Sequence, residues 1–291
     1  MNNNFHQIRI GTCSWKYESW QGLIYSNSKE INYLSEYSSQ FNTVEIDQWF
    51  WSLHSKDKIT LPKQKDVETY FNSVPEDFKF TIKIPNSITL THFYKDSKNE
   101  KHISNPNFLS PELYELFLEK ISLMKKKVGM LMFQFEYLNK DKMSSQLEFI
   151  DRFENFLTQI NRELEIGIEI RNPNYLNQNY FEFLKRNNVH HVYLQGYYMP
   201  SIFDVGKEQI KFLTDFAVIR LHGTDRNKIE ELTNNNWNKI VVPRDEELSR
   251  VAKMIKYFFA KKVNLYVNVN NHYEGSAPLT INKIKKLLTA E

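Results

Sequence analysis

The feature that most constrains this chain is an alternation. Short runs rich in β-branched and aromatic residues recur along it: IRIG (8–11), TVEID (43–47), KFTIKI (79–84), VGMLMFQF (128–135), EIGIEIR (165–171), VHHVYLQ (189–195), AVIRLHG (217–223) and NLYVNVN (264–270). Each is followed by a stretch of helical periodicity or length, and helices are expected at 31–41, 110–127, 144–160, 180–187, 246–262 and 280–288. Ser110, Pro111 and Glu112 stand in the order of N-cap, first helical residue and acidic first turn, and the lysines at 125–127 would close the same helix. Strands alternating with helices imply right-handed βαβ units and a parallel sheet. Eight such units, spaced roughly 37 residues apart, fit an α/β fold of the (β/α)8 TIM-like barrel type, which takes about 250 residues. An open doubly wound sheet is the weaker alternative, because GTCSW after the first run lacks a glycine-rich phosphate fingerprint. No linker rich in Pro, Gly or Ser divides the chain, so residues 1–291 are expected to form a single barrel domain.

Side chains alternate across a strand, so the parity of the polar residues reports which face they share. Glu45 and Asp47 have one parity and Val44 and Ile46 the other. Lys83 opposes Ile82 and Ile84, while Glu169 and Arg171 oppose Ile168 and Ile170. In the last two strands Arg220 and His222 oppose Ile219 and Leu221, and Asn268, Asn270 and His272 oppose Val267 and Val269. In a barrel the apolar parity packs on the outer helices, which directs the polar set to the axis and to the carboxyl-end mouth where barrel enzymes work. The bland reading is a self-neutralising ion network, since three acids (Glu45, Asp47, Glu169) meet three bases (Lys83, Arg171, Arg220). Asn271 also reads as a turn residue, and His190 and His191 as structural.

Composition narrows the partners. A net charge of +3 is too mild for broad nucleic-acid coverage, which is possible but not favoured. One cysteine, Cys13, excludes an intramolecular disulfide framework and reads as packing. MNNNFHQIRI has no apolar core of a signal peptide and no run of about 20 apolar residues occurs, so a cytoplasmic protein with no membrane association is expected. Aromatic clusters CSWKYESW (13–20) and DQWFWSLH (47–54) follow strands, where they suggest a sticky rim.

The motifs IGTCSW, YLSEYSSQFNTVEID, FKFTIKIPNSITLTH, GMLMFQF, IGIEIRNPNY, VIRLHG and VNVNNHYEGSAPLTINKIKKLL appear in one order over residues 8–288. In this the chain resembles the DUF72 (YecE-like) proteins, a bacterial and archaeal family of TIM barrels without an agreed reaction. The resemblance rests on Trp15, Glu45, Lys83, His92, Gln134, Glu169, Arg171, Arg220, His222, Asn270, Asn271 and His272. It departs at DQWFW, where the family usually reads Asn-Ser-Thr-Phe-Tyr, at Asn172, where a His is usual, and at Gln195, where an Asp is common.

Two classes of function follow. The first is a barrel enzyme, a hydrolase or lyase acting on a phosphorylated, sugar-like or nucleotide ligand. Glu45, Glu169 and His222 would be its catalytic groups. Trp15, Lys83, His92, Gln134, Arg171, Arg220, Asn268, Asn270, Asn271 and His272 would bind the ligand, with Trp15 and the Trp49 region stacking on a ring. A glycosidase is disfavoured because Gln134 and His222 occupy the fourth and seventh strands, where many such barrels place their acids. The second class is a non-catalytic binder of an anionic ligand or nucleic acid. No cofactor is expected. A divalent metal on His222, His272, Glu45 and Glu169 is the lesser alternative, since three cations on the same face would repel it. The polar stretch 86–108 is long for a connection and is expected as a lid over the mouth, with His92 near its hinge. Oligomeric state is left open.

Overall fold

The computed structural model describes residues 8–55, 58–94 and 103–290. Eight parallel strands close into a barrel: β1 (Ile8–Thr12), β2 (Thr43–Ile46), β3 (Lys79–Lys83), β4 (Val128–Phe135), β5 (Ile166–Ile170), β6 (His190–Gly196), β7 (Phe216–Gly223) and β8 (Asn264–Val269). A helix follows each strand: α1 (Tyr33–Ser38), α2 (Gln64–Asn72), α3 (Pro111–Lys120), α4 (Gln146–Leu157), α5 (Gln178–Arg186), α6 (Ile202–Gln209), α7 (Asp245–Ala260) and α8 (Ala277–Thr289). The expected (β/α)8 barrel is therefore the observed one. Sequence periodicity did not mark α2 or α6, nor the short helices Asn86–Thr89 and Arg226–Thr233 inserted in the loops after β3 and β7.

Local signals explain most helix starts. Ser110 accepts the Leu113 amide at 3.1 Å, Ser145 the Glu148 amide at 3.1 Å and Asn32 the Ser35 amide at 3.1 Å, each relieving an orphan N–H of the first turn. The end of α3 differs from expectation. The helix stops at Lys120, and Ser122–Lys127 forms 3-10 turns. Ile121 leaves helical geometry (φ −97°, ψ 11°), and Lys127 does not close this helix, because its ammonium donates to the Phe71 and Val74 carbonyls at 2.8 and 2.7 Å, at the end of the neighbouring α2.

Parity sorts the sheet as expected. Val44, Ile46, Phe80, Ile82, Phe133, Ile168, Ile219, Leu221, Val267 and Val269 face the helix ring and join its apolar residues in one core. Phenylalanines tile the α3–α5 sector edge to face, with Phe133 5.3 Å from Phe153 and Phe135 5.0 Å from Phe149. The other parity fills the barrel. Met130, Met132, Val192, Val218 and Tyr266 form a separate apolar plug low in the interior, and the charged residues stand above it. Closure is uneven. β1 and β2 share only the Thr12–Val44 pair, and the Tyr37 hydroxyl bridges the seam by accepting from the Thr12 amide at 2.9 Å and donating to the Thr43 carbonyl at 3.0 Å. β5 and β6 pair only at Gly167–His190 and Ile168–His191, so the end of β5 that carries Glu169 stands apart from β6.

Candidate functional site

Arg220 is the hub of the barrel interior. From β7 it reaches across to β2, three strands away around the wall, and grips Glu45 with two bonds: Nε to Oε2 at 2.8 Å and Nη2 to Oε1 at 2.7 Å. Its Nη1 donates to Glu169 of β5 and, at 3.2 Å, to Gln134 of β4. Asn268 of β8 donates to Glu45 at 3.1 Å and to Thr81 of β3 at 2.9 Å. Arg171 closes the far side, its Nε 3.0 Å from the second Glu169 oxygen. Arg220, Glu45 and Glu169 are 2%, 0% and 1% exposed, which is affordable only because nearly every donor and acceptor is used. Burial pushes the Glu169 carboxyl up, but Arg220 and Arg171 beside it win, and its pKa falls to about 2.

Glu45 and Glu169 were expected as catalytic groups. The structure brings them to one place, yet all four of their oxygens accept from arginine or asparagine beneath the mouth. In this arrangement they orient cations. The charges of Arg220, Arg171, Glu45 and Glu169 cancel, which leaves Lys83 and Asp47 as the pair outside the network.

That pair is unusual. Lys83 is 8% exposed and its ammonium lies over the Phe50 ring, 4.1 Å from the centroid, with no hydrogen-bond acceptor among the described residues. Burial first and the Arg220 charge second lower its pKa, against the pull of Glu45, Asp47 and Glu169. Asp47, half-buried, is pushed up to about 6 by burial and then by Glu45. No ion pair within 4.0 Å joins the two. An acid and an amine therefore face the same end of the barrel across a gap.

His222 sits beside them on β7, buried, with Nδ1 3.3 Å from the Tyr197 hydroxyl and Nε2 3.7 Å from the Cys13 sulfur. Burial, then Arg220, Arg171 and Lys83, drives its pKa far below the imidazole range, so the ring is neutral. Burial and Glu45 push the Cys13 thiol up, so this is a thiol and not a thiolate. Tyr197 holds a left-handed backbone (φ 51°) that non-glycine residues seldom adopt. The chain is forced there by a close approach of β6 and β7: a Cβ at Gly196 would lie 2.2 Å from the Gly223 carbonyl oxygen. The strained turn places the Tyr197 ring 4.7 Å under the Arg171 guanidinium.

Other expected site residues lie further out. Asn270 and His272 form a small rim unit, the Asn270 side-chain Oδ1 2.5 Å from His272 Nδ1, with Nε2 3.0 Å from Glu230 and the ring against Trp237. Asn271 accepts the Ala277 amide at 2.9 Å and so caps α8. His92 lines a different cavity of about 460 Å³, bordered by Asn105, Lys140 and Glu148. Trp15 and Trp49, expected to stack on a ligand, are buried against Tyr70, Trp15 edge to face at 5.0 Å and Trp49 stacked at 5.6 Å. The exposed aromatics of the loops after strands are Trp51, Tyr94, Tyr137 and Tyr198. His222 and His272 point to separate partners, and among the described residues no three His, Cys, Asp or Glu side chains converge as metal ligands.

The stretch expected as a lid has a rigid base. Phe93 donates to Ile103 and Asn105 to Thr91, both at 2.9 Å, and the Asn105 side chain holds the Ser87 and Leu90 carbonyls. Residues 95–102, the middle of that stretch, lie outside the described residues. Among the described residues, no helix is long and apolar enough to cross a membrane.

Fold and site together define a (β/α)8 barrel with an arginine-centred ion network under its carboxyl-end mouth. A family profile described as "Protein of unknown function DUF72" matches residues 9–291, and the chain belongs to that family. It is similar to a DUF72 family protein of Thermotoga maritima MSB8, at 20% identity and a TM-score of 0.67, covering 98% of this chain and 100% of that one. A DUF72 family protein of Enterococcus faecalis V583 is similar at 19% identity, TM-score 0.67, covering 98% and 96%. No curated protein matches.

Proposed function

We propose that this chain is an enzyme of the lyase or hydrolase type that binds a small anionic organic ligand in the barrel mouth and moves protons on it. Lys83 and Asp47 are the reacting pair, Arg171 anchors the anion, and neutral His222 stands beside them. The observation that carries this reading is Lys83: a buried ammonium with no acceptor among the described residues costs several kcal/mol and persists where a ligand supplies the missing partner. The strained Tyr197 turn beneath Arg171 supports it, since such strain concentrates at functional sites. Lyase-type proton transfer fits better than two-carboxylate hydrolysis, because Glu45 and Glu169 are both engaged by Arg220.

Thermal denaturation against inorganic phosphate and a panel of phosphorylated and carboxylated sugars tests the reading. A ligand at about 100 times its Kd stabilises by about 2.7 kcal/mol, which raises Tm by about 5–11 °C for a chain of this size. The shift should vanish in Arg171→Gln. No shift with any member, or one indifferent to Arg171→Gln, sinks the proposal.

A further inference from the structure

We infer that Lys83 is a covalent nucleophile, and that the mouth takes an anionic aldehyde or ketone which this amine captures as a Schiff base. The inference deepens the proposed function and rests on it, naming the substrate as a carbonyl compound that carries phosphate or carboxylate.

The contrast between two buried lysines carries the argument. Lys127, 5% exposed, donates to the Phe71 and Val74 carbonyls and is a structural cation. Lys83, 8% exposed, donates to nothing among the described residues, though Glu45 and Glu169 share its barrel interior. Arg220 has taken both carboxylates, so the network withholds the partners an ammonium would need. A lysine desolvated beside another cation is the arrangement that frees an amine for attack on carbonyls. The Phe50 ring under the nitrogen suits both states, offering an apolar surface to the neutral amine and its π-face to the protonated imine.

The chemistry balances without an oxidant or reductant. The neutral Lys83 nitrogen attacks the carbonyl carbon, forming a C–N bond while the C=O π pair moves to oxygen, which takes the proton that the nitrogen gives up. The carbinolamine hydroxyl then takes a second proton, from Asp47, and leaves as water as the nitrogen lone pair forms C=N. One C=O, one primary amine and the Asp47 proton become one protonated imine and one water, and Asp47 is left as the carboxylate. Asp47 suits the donor role because it stays partly protonated near neutrality. Arg171, half-exposed at the rim and turned towards Glu169 by one nitrogen only, keeps donors for the ligand's anionic end.

Borohydride trapping tests this on the full chain. The protein is incubated with pyruvate, dihydroxyacetone phosphate or glyceraldehyde 3-phosphate, reduced with sodium borohydride and mapped by peptide mass. One equivalent at Lys83 is expected, in about tenfold preference over any exposed lysine, a discrimination of about 1.4 kcal/mol in barrier. Lys83→Arg should lose the adduct and keep its cation. Equal labelling of surface lysines, or no adduct with all three probes, overturns the inference; because mapping is done on the unmutated chain, misfolding of the variant does not obscure the result. If the adduct is absent while phosphate still shifts Tm through Arg171, only the covalent step falls. If both are absent, the mouth reading falls with it.

Discussion

Replacing Arg220 with Met is the perturbation whose consequences are worked out most fully by the geometry. The substitution removes the cation that satisfies Glu45 and Glu169 and leaves two carboxylates at 0% and 1% exposure. Breaking a buried charge network in this one-sided way costs about 3–5 kcal/mol. At about 2–4 °C per kcal/mol for a chain this large, Tm should fall by about 6–20 °C. The pH dependence gives a second, independent sign. In the unmutated protein Glu169 is depressed from 4.5 to about 2, so its stabilisation is present above pH 4.5 and lost as pH falls towards 2. In Arg220→Met the burial that pushes Glu169 up loses its largest opponent, so its carboxyl should rise and the stabilisation it brings should shrink most at high pH. Circular dichroism melts at pH 5 and pH 8 read both effects. The deficit of the variant should be larger at pH 8. Adding Glu45→Gln and Glu169→Gln should restore part of the loss, because uncharged amides no longer need the guanidinium. A Tm change below about 2 °C, under what a single kcal/mol yields, or a triple variant no better than the single one, refutes the idea that ion pairing holds this layer.

Asp47→Asn should stabilise the protein at pH 8 by about 1–2 kcal/mol, less than the full two-unit equivalent of about 2.7 kcal/mol because Asp47 is partly solvated. The gain should vanish near pH 4, since a carboxyl raised from 3.8 to about 6 is protonated in the folded state throughout that window; urea unfolding at the two pH values checks it. Tyr37→Phe leaves the Thr12 amide and Thr43 carbonyl unpaired at the β1–β2 seam, and equilibrium denaturation should record a loss of about 1–3 kcal/mol. A smaller loss would mean that the seam closes without the hydroxyl.

Much of the barrel could be read from the residues. Alternation within a strand is a local property, so the polar parity of Glu45, Lys83, Glu169, Arg220 and Asn268 predicts a polar lumen without any tertiary contact. Strand positions were equally legible, because runs such as VGMLMFQF at 128–135 carry strong β propensity over a fixed length. The helices that escaped notice, α2 and α6, hold few apolar residues in regular spacing and form by packing against the barrel. The burial of Trp15 and Trp49 was not legible for the same reason: nothing local says that both pack against Tyr70 of α2.

What the sequence could not assign was the pairing inside the lumen. Three acids and three bases sharing one face admit many matchings, and choosing among them requires distances across a barrel about 175 residues apart in chain order, from Glu45 to Arg220. Closure of the sheet gave Arg220 both buried glutamates and left Lys83 against a phenylalanine ring, apart from Asp47. Residue types and strand parity thus determined that a polar lumen exists. The three-dimensional arrangement decided which of its charges neutralise one another and which remain for a ligand, because Coulomb energy and desolvation depend on separation in space and not along the chain.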